Sequence, residues 1–238
     1  MSRCAPGRQY GLSFSCFSLD EWDLIKSTLT KKEIDRCKND EVCIFKNMVD
    51  KKAINPSLKH RIFKPKYTLD ILSNYDINNV LNPYKDAFKN YMHIGTFPSD
   101  IYDYINLKEK LTKTFKPKVS KYSIVYNLDK LNGDGTHWVA VFIDVNRNTV
   151  EYFDSLAKTP ISNINKNLHL IKKTLDKHYG KNFKIHYNNV IHQGYSGECG
   201  VYCVYYIIAR LFNYSVHDIN NNIKDDKTMT EFRRYIFG

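Results

Sequence analysis

The segment Gln193-Gly194-Tyr195-Ser196-Gly197-Glu198-Cys199-Gly200 runs directly into an apolar stretch, residues 201–211. Gly194 and Gly197 mark a loop, while Val201, Val204, Tyr205, Ile208, Leu211 and Phe212 recur at helical spacing, so a helix begins at or near Cys199. The partial positive charge of a helix N-terminus favours thiolate over thiol, which is the condition for a nucleophilic cysteine. A thiolate still needs a base. His137-Trp138 supplies a candidate, and Asp154 follows seventeen residues after the histidine. The pattern is that of a cysteine hydrolase.

The spacing can be tested physically. Residues 138–143 and 150–153 are apolar runs separated by Asp144-Val145-Asn146-Arg147-Asn148, which has the composition of a hairpin turn. With a four-residue loop at 144–147, His137 and Asp154 become cross-strand partners at the open end of the hairpin, their Cβ atoms roughly 4.5 to 5.5 Å apart. A carboxylate in that position fixes the tautomer of the imidazole and stabilises its charged form.

At 238 residues the chain suits one domain, or a core with an appendage, and it can bury a core without staples. Its six cysteines (Cys4, Cys16, Cys37, Cys43, Cys199, Cys203) lack the dense spacing of a secreted disulfide scaffold. They form no paired CxxC or His/Cys cluster of zinc type, so reduced thiols, no structural metal and no cofactor are expected. The N-terminus has no apolar signal core, and no window approaches the roughly 18 apolar residues of a membrane span. The expectation is a soluble, non-secreted, intracellular chain with no membrane partner.

The net charge of +11 is uneven: residues 51–66 hold six Lys/Arg and no acid, and between Asp154 and Glu198 seven lysines stand against Asp176 alone. Such faces favour solubility, and clustered lysines also gain by releasing counterions from phosphate. No nucleic-acid motif accompanies them, so nucleic-acid contact through these basic faces would be non-specific and accessory.

Along the chain, Ser18-Leu19-Asp20-Glu21 and Thr30-Lys31-Lys32-Glu33 read as capping boxes that start two short helices, with a third over 40–50. Pro56 and the basic stretch through Pro65 break the periodicity, which divides a small helical, basic appendage (1–66) from the remainder (67–238). Short helices follow near 76–81 and 84–91, then a loop with Gly95 and Pro98, then a helix near 99–115. Strands are expected at 122–128, 138–143 and 149–153, a lysine-rich amphipathic helix at 161–178, and a further strand at 183–191. The nucleophile helix and two C-terminal helices, near 217–223 and 229–237, close an α+β fold with a central sheet flanked by helices.

The order His137-Trp138, Asp154, Gln193, Glu198-Cys199-Gly200 resembles the Ulp1-like cysteine proteases, the clan that also holds the adenovirus maturation protease. Several blocks are most similar to maturation proteases of large cytoplasmic DNA viruses, such as that of African swine fever virus. They are His137-Trp138-Val139-Ala140-Val141-Phe142-Ile143-Asp144, Val150-Glu151-Tyr152-Phe153-Asp154-Ser155, His192-Gln193, Glu198-Cys199-Gly200 with Arg210-Leu211 beyond, and Phe232-Arg233-Arg234. The resemblance spans roughly residues 69–237 and implies a mixed sheet flanked by helices. It also implies roles: Cys199 attacks a peptide carbonyl, His137 moves the proton and Asp154 orients His137. Gln193 and the Cys199 N–H form the oxyanion hole, and Trp138 covers the substrate channel. Two features depart from the family: Glu198 stands where cellular members usually carry Asp, and the loop from Gln193 to Cys199 is rich in glycine. Cys203 reads as an inert buried residue, and His169, His178, His186 and His192 as surface residues.

The function so implied is a viral cysteine endopeptidase that cuts structural or core precursors after Gly-Gly, in the virion and in the viral factory of the host cytoplasm. An isopeptidase that releases ubiquitin-like proteins would use the same chemistry. So would an acyltransferase, a lesser alternative. A degenerate, basic nucleic-acid-binding protein is the non-enzymatic alternative, against which the intact set of four residues argues.

Overall fold

Strands buried at every position need cover on both faces, and residues 121–127 and 138–144 form two such strands at the centre of the sheet. The computed structural model describes residues 19–27, 29–37, 44, 71–222 and 224–237. Its strands are β1 (Tyr91–Pro98), β2 (Lys121–Asn127), β3 (Trp138–Asp144), β4 (Thr149–Phe153) and β5 (Lys184–Tyr187), laid side by side in sequence order. The outer pairs β1–β2 and β4–β5 are parallel and the inner pairs antiparallel, which makes the sheet mixed. The described helices are α1 (Leu19–Ser27), α2 (Lys31–Arg36), α3 (Asn74–Leu81), α4 (Tyr84–Ala87), α5 (Leu107–Thr114), α6 (Ser162–Tyr179), α7 (Cys199–Leu211), α8 (Val216–Asn221) and α9 (Asp226–Ile236). None of them is long and apolar enough to cross a membrane.

Alternation along the strands sends Trp138, Ala140, Phe142 and Phe153 to one face, where α7 packs with α3 and α9. Val139, Val141, Ile143 and Val150 point the other way, onto α5 and α6. All of α7 except Tyr205 is buried, so this helix is a core element fixed between the sheet and the flanking helices. A buried ion pair anchors its far end. Arg210 donates to both carboxylate oxygens of Glu151 on β4, at 2.7 and 2.8 Å, and Tyr206 donates to the same carboxylate at 2.8 Å.

Several expectations need correcting. Residues 91–98, read as the end of a helix and a loop, form β1; the helix before it is the single turn Tyr84–Ala87. Gly95 marks a bulge rather than a loop: the β1–β2 register shifts between His93 and Gly95, and Gly95 adopts φ +147°. The helix expected over 99–115 is a short 3₁₀ turn (Ile101–Asp103) followed by α5, which starts where Asn106 caps it by accepting from Glu109 N at 3.1 Å. The strand expected over 183–191 is only Lys184–Tyr187.

The Thr30–Glu33 capping box starts α2 as read. The third N-terminal helix and the basic stretch 51–66 lie outside the described residues. Cys37 is disulfide-bonded, whereas every thiol was expected to be reduced. Linear spacing does not reveal which thiols meet in space. Cys199 and Cys203 are free.

Candidate active site

The β3–β4 hairpin brings His137 and Asp154 together by a different register from the one expected. Asp144 pairs with Thr149 and Ala140 with Phe153, so the loop is 145–148 and the ladder is offset by two positions. The cause is local: Asp144 Oδ1 accepts from Asn146 N and Arg147 N at 3.0 and 3.2 Å, and Asn148 takes a left-handed conformation at φ 55°. Asp144 thus ends the strand rather than opening the loop. The two side chains meet on a diagonal beyond the last ladder pair, and His137 Nε2 lies 2.8 Å from Asp154 Oδ1.

Asp154 is fully buried and firmly held. Its N–H donates to Asn188 Oδ1 and its carbonyl accepts from Asn188 Nδ2, both at 2.8 Å, while Leu156 N donates to Oδ1 at 2.8 Å. The imidazole and the Leu156 N–H share Oδ1, and Oδ2 has no hydrogen-bond partner among the described residues. With Nε2 committed to Asp154, Nδ1 is the ring nitrogen that remains, and Cys199 at the first turn of α7 interacts with the same imidazole. Burial pushes the His137 imidazole down, but hydrogen bonds and charge from Asp154 and Cys199 outweigh it and raise its pKa to about 9. Cys203, one turn along, is wholly buried, and burial together with the charges of Cys199 and Asp154 pushes its thiol well up.

Gln193 is buried beside this group. Its Oε1 accepts from Ser155 Oγ at 2.6 Å and its Nε2 donates to the Ser196 carbonyl, which leaves one amide N–H uncommitted. Trp138 is pinned by donation from Nε1 to the Leu72 carbonyl at 2.8 Å. A Cβ at Gly200 would lie 3.2 Å from Trp138 Cδ1 and from Leu72 Cβ, so the glycine after Cys199 is what lets the indole lie against α7. Trp138 also borders a cleft of about 350 Å³ lined by Ile71, Phe97, Leu131, Gly133 and Gly135 among others.

Sequence reasoning missed three holding residues: Ser155, Asn188 and Asp226, the last of which bonds the loop at Gly194 and Ser196. Ser155 directly follows Asp154, yet a single serine carries no pattern of its own. Glu198 is bound by Arg233 Nε at 2.8 Å and Thr230 Oγ1 at 3.3 Å of α9. His192 is not a surface residue. It is buried, 3.2 Å from Asn220 Oδ1 and edge-on to Phe153, and burial lowers its pKa against the bond to Asn220. His169, His178 and His186 are exposed as read. Among the described residues no group of three or more His, Cys, Asp or Glu side chains converges as a metal site requires.

The charge is also organised. The layer of α5 and α6 with their following turns (107–118 and 162–184) carries eleven lysines against Glu109 and Asp176, each of which pairs within its own helix. This basic layer covers the sheet face opposite α7.

Residues 78–238 match the Ulp1 protease family, C-terminal catalytic domain. The chain is 28% identical over 254 residues to the cysteine protease S273R of African swine fever virus, covering 94% of this chain and 91% of the relative. That alignment reaches well before residue 69, where the resemblance read from sequence begins. It is 25% identical over 226 residues to a protein of Acanthamoeba polyphaga mimivirus named as a thiol protease, covering 89% of this chain and 74% of that one. In fold, the crystal structure of the African swine fever virus protease superposes with a TM-score of 0.70 at 24% identity over 100% of this chain and 96% of that one. The SUMO protease Ulp1 superposes with a TM-score of 0.56 at 17% identity, over 92% and 93% of the two chains. Family match, fold and the thiol, imidazole and carboxylate gathered at the start of α7 lead to one conclusion: this chain belongs to the Ulp1 protease family and is a cysteine protease.

Proposed function

We propose that the chain is a viral cysteine endopeptidase that cuts structural or core precursor proteins after a Gly-Gly pair, with Cys199, His137 and Asp154 as its triad. The observation that carries this reading is the 2.8 Å contact between His137 and a buried Asp154, with Cys199 acting on the same ring. The proton of Cys199 rests on His137, which holds it as imidazolium, and the sulfur attacks the scissile carbonyl. The oxyanion forms between the uncommitted N–H of Gln193 and the backbone N–H of Cys199; one such donor is worth about 2.7 to 4 kcal/mol. Imidazolium then protonates the leaving amine, and His137 activates the water that hydrolyses the thioester. The proton traffic needs an imidazole that holds its proton at neutral pH, which the raised pKa of His137 supplies.

Preference for glycine follows from the pinned indole. Trp138 cannot swing away without losing its bond to the Leu72 carbonyl, so a segment passing beneath it must be slim. The substrates are protein precursors in the assembling virion and in the cytoplasmic viral factory. The basic layer of α5 and α6, turned away from the site, would tether the enzyme to nucleic acid without obstructing it.

A deconjugase is the second reading, favoured by the fold shared with Ulp1, which has been solved in complex with Smt3. A deconjugase depends on the folded ubiquitin-like body, whereas a maturation protease cuts a short extended peptide. The deciding assay compares kcat/KM for an internal Gly-Gly-X peptide with that for ubiquitin-like C-terminal fusions, with product termini read by mass spectrometry. Efficient cleavage of the peptide after Gly-Gly is expected. A preference of about a hundredfold for the fusions, about 2.7 kcal/mol of transition-state binding, reverses the order.

A further inference from the structure

Asp226, Thr230 and Arg233 lie along one face of α9, and all three reach the loop that carries Gln193 and ends at Cys199. Asp226 makes the contacts nearest to Gln193. Its Oδ1 accepts from Gly194 N at 3.1 Å and from Tyr202 OH at 3.0 Å, and its Oδ2 accepts from Ser196 N at 3.1 Å. A Cβ at Gly194 would fall 2.8 Å from Oδ2, so glycine is what admits the carboxylate. The preceding residue, Asp225, caps the helix by accepting from Thr228 N at 2.8 Å, which leaves Asp226 free to turn toward the loop. Ser196 is thereby held at its N–H, and its carbonyl, in the next peptide unit, accepts from Gln193 Nε2.

We propose that Asp226 is a positioning residue for the oxyanion hole: it fixes Ser196, whose carbonyl fixes the Gln193 carboxamide with one N–H aimed at the substrate carbonyl oxygen. This rests on the reading of Gln193 as an oxyanion donor. Ser155 holds the oxygen end of the same carboxamide, so the group is gripped from both sides, by the β4 end and by α9. Burial pushes the Asp226 carboxyl up, but the bonds from Ser196, Gly194 and Tyr202 outweigh it and hold its pKa below the ordinary value. The carboxylate is therefore charged, and its hydrogen bonds are of the stronger, charge-assisted kind. Asparagine in its place would turn an NH₂ toward N–H groups that need an acceptor.

The test is a double-mutant cycle in the full chain, with Asp226→Asn, Gln193→Ala and the double variant assayed on a Gly-Gly-X peptide. Asp226→Asn should lower kcat by about 10- to 100-fold, less than or equal to the effect of losing an oxyanion donor outright, while KM stays within about twofold. Alkylation of Cys199 by iodoacetamide involves no oxyanion and should keep its rate. In the Gln193→Ala background Asp226→Asn should have no further effect on kcat. Gly194→Ala, which displaces the clamp sterically and keeps its charge, should reproduce the loss of kcat and serves if Asp226→Asn does not fold. Equal losses in both backgrounds, or a parallel fall in alkylation, would make Asp226 a general structural residue and overturn the proposal. A fully active Gln193→Ala would remove the oxyanion reading itself. A slow Gln193→Ala beside a fully active Asp226→Asn would sink the clamp alone.

Discussion

At the residue scale, the environment of His137, the base of the proposed triad, sets a pH signature. Its pKa of about 9 comes from partners that outweigh burial, so activity should fall on the alkaline side with an apparent pKa near 9. Asp154→Asn removes the carboxylate charge and should bring that limb down toward the ordinary imidazole value; a pH–rate profile whose alkaline limb is unchanged in the variant would count against the pair. Linkage gives the same sign for stability. The folded-state pKa lies above the unfolded one, so the stabilisation is fully present below about pH 6.5 and is lost as pH rises through about 9. The difference in Tm between wild type and Asp154→Asn should shrink accordingly between pH 6 and pH 10. Ser155→Ala leaves the Gln193 carboxamide oxygen without its 2.6 Å donor and should reduce kcat. Its cost in stability should be only about 0.5 to 1.5 kcal/mol, readable by urea denaturation beside the kinetics.

At the scale of elements, α7 carries the proposed nucleophile, and its placement depends on contacts far from Cys199. The Arg210–Glu151 pair is buried, so breaking it by Glu151→Gln should cost about 3 to 5 kcal/mol in urea denaturation, whereas replacing both members by apolar residues should cost much less. Gly200→Ala has opposed effects: alanine favours the helix by about 1 kcal/mol, but its methyl must press on Trp138 and Leu72 at 3.2 Å. Stability should change little while kcat/KM falls by roughly tenfold, since a displacement of about 1 Å can cost 100-fold. These elements also show what could be read from sequence. The start of α7 was legible because a glycine loop meets a 3.6-residue apolar period at Cys199. The His137–Asp154 meeting was legible from the hairpin, although its register was not, because the turn at Asp144 is decided by side-chain-to-backbone hydrogen bonds that resemble loop composition. Strand β1 was illegible because a bulge at Gly95 and a buried His93 interrupt the alternation. That histidine, bonded to Ser123 at 2.8 Å and pushed down to a pKa of about 3 by burial against the Ser123 bond, is a neutral structural link to Asn78 of α3. Asp226 and Ser155 were invisible for a different reason: they act through tertiary hydrogen bonds, and neither carries a sequence pattern.

At the scale of the whole molecule, the sheet separates the proposed site, on the α7 face, from the positive charge of the α5–α6 face. Reversing four exposed lysines there, at positions 110, 113, 173 and 177, should weaken binding to DNA oligonucleotides and flatten its salt dependence while cleavage of a short peptide is unchanged; each phosphate that is no longer neutralised should reduce the log–log salt slope by about 0.9 for duplex. The division at residue 66 makes a separate claim. A chain starting at Tyr67 keeps Leu72, which holds Trp138, and should retain kcat with a raised KM. The central claim is that Cys199, and no other thiol, attacks the peptide bond with His137 as its base, and initial rates on an internal Gly-Gly-X peptide test it most directly. Wild type and Cys203→Ala should cleave at rates within a fewfold of each other. Cys199→Ala should be inactive with an unchanged circular dichroism spectrum, and His137→Ala should lose at least the roughly 10²- to 10⁴-fold that general base catalysis supplies. A Cys199→Ala variant that cleaves the peptide at the wild-type rate would contradict the account.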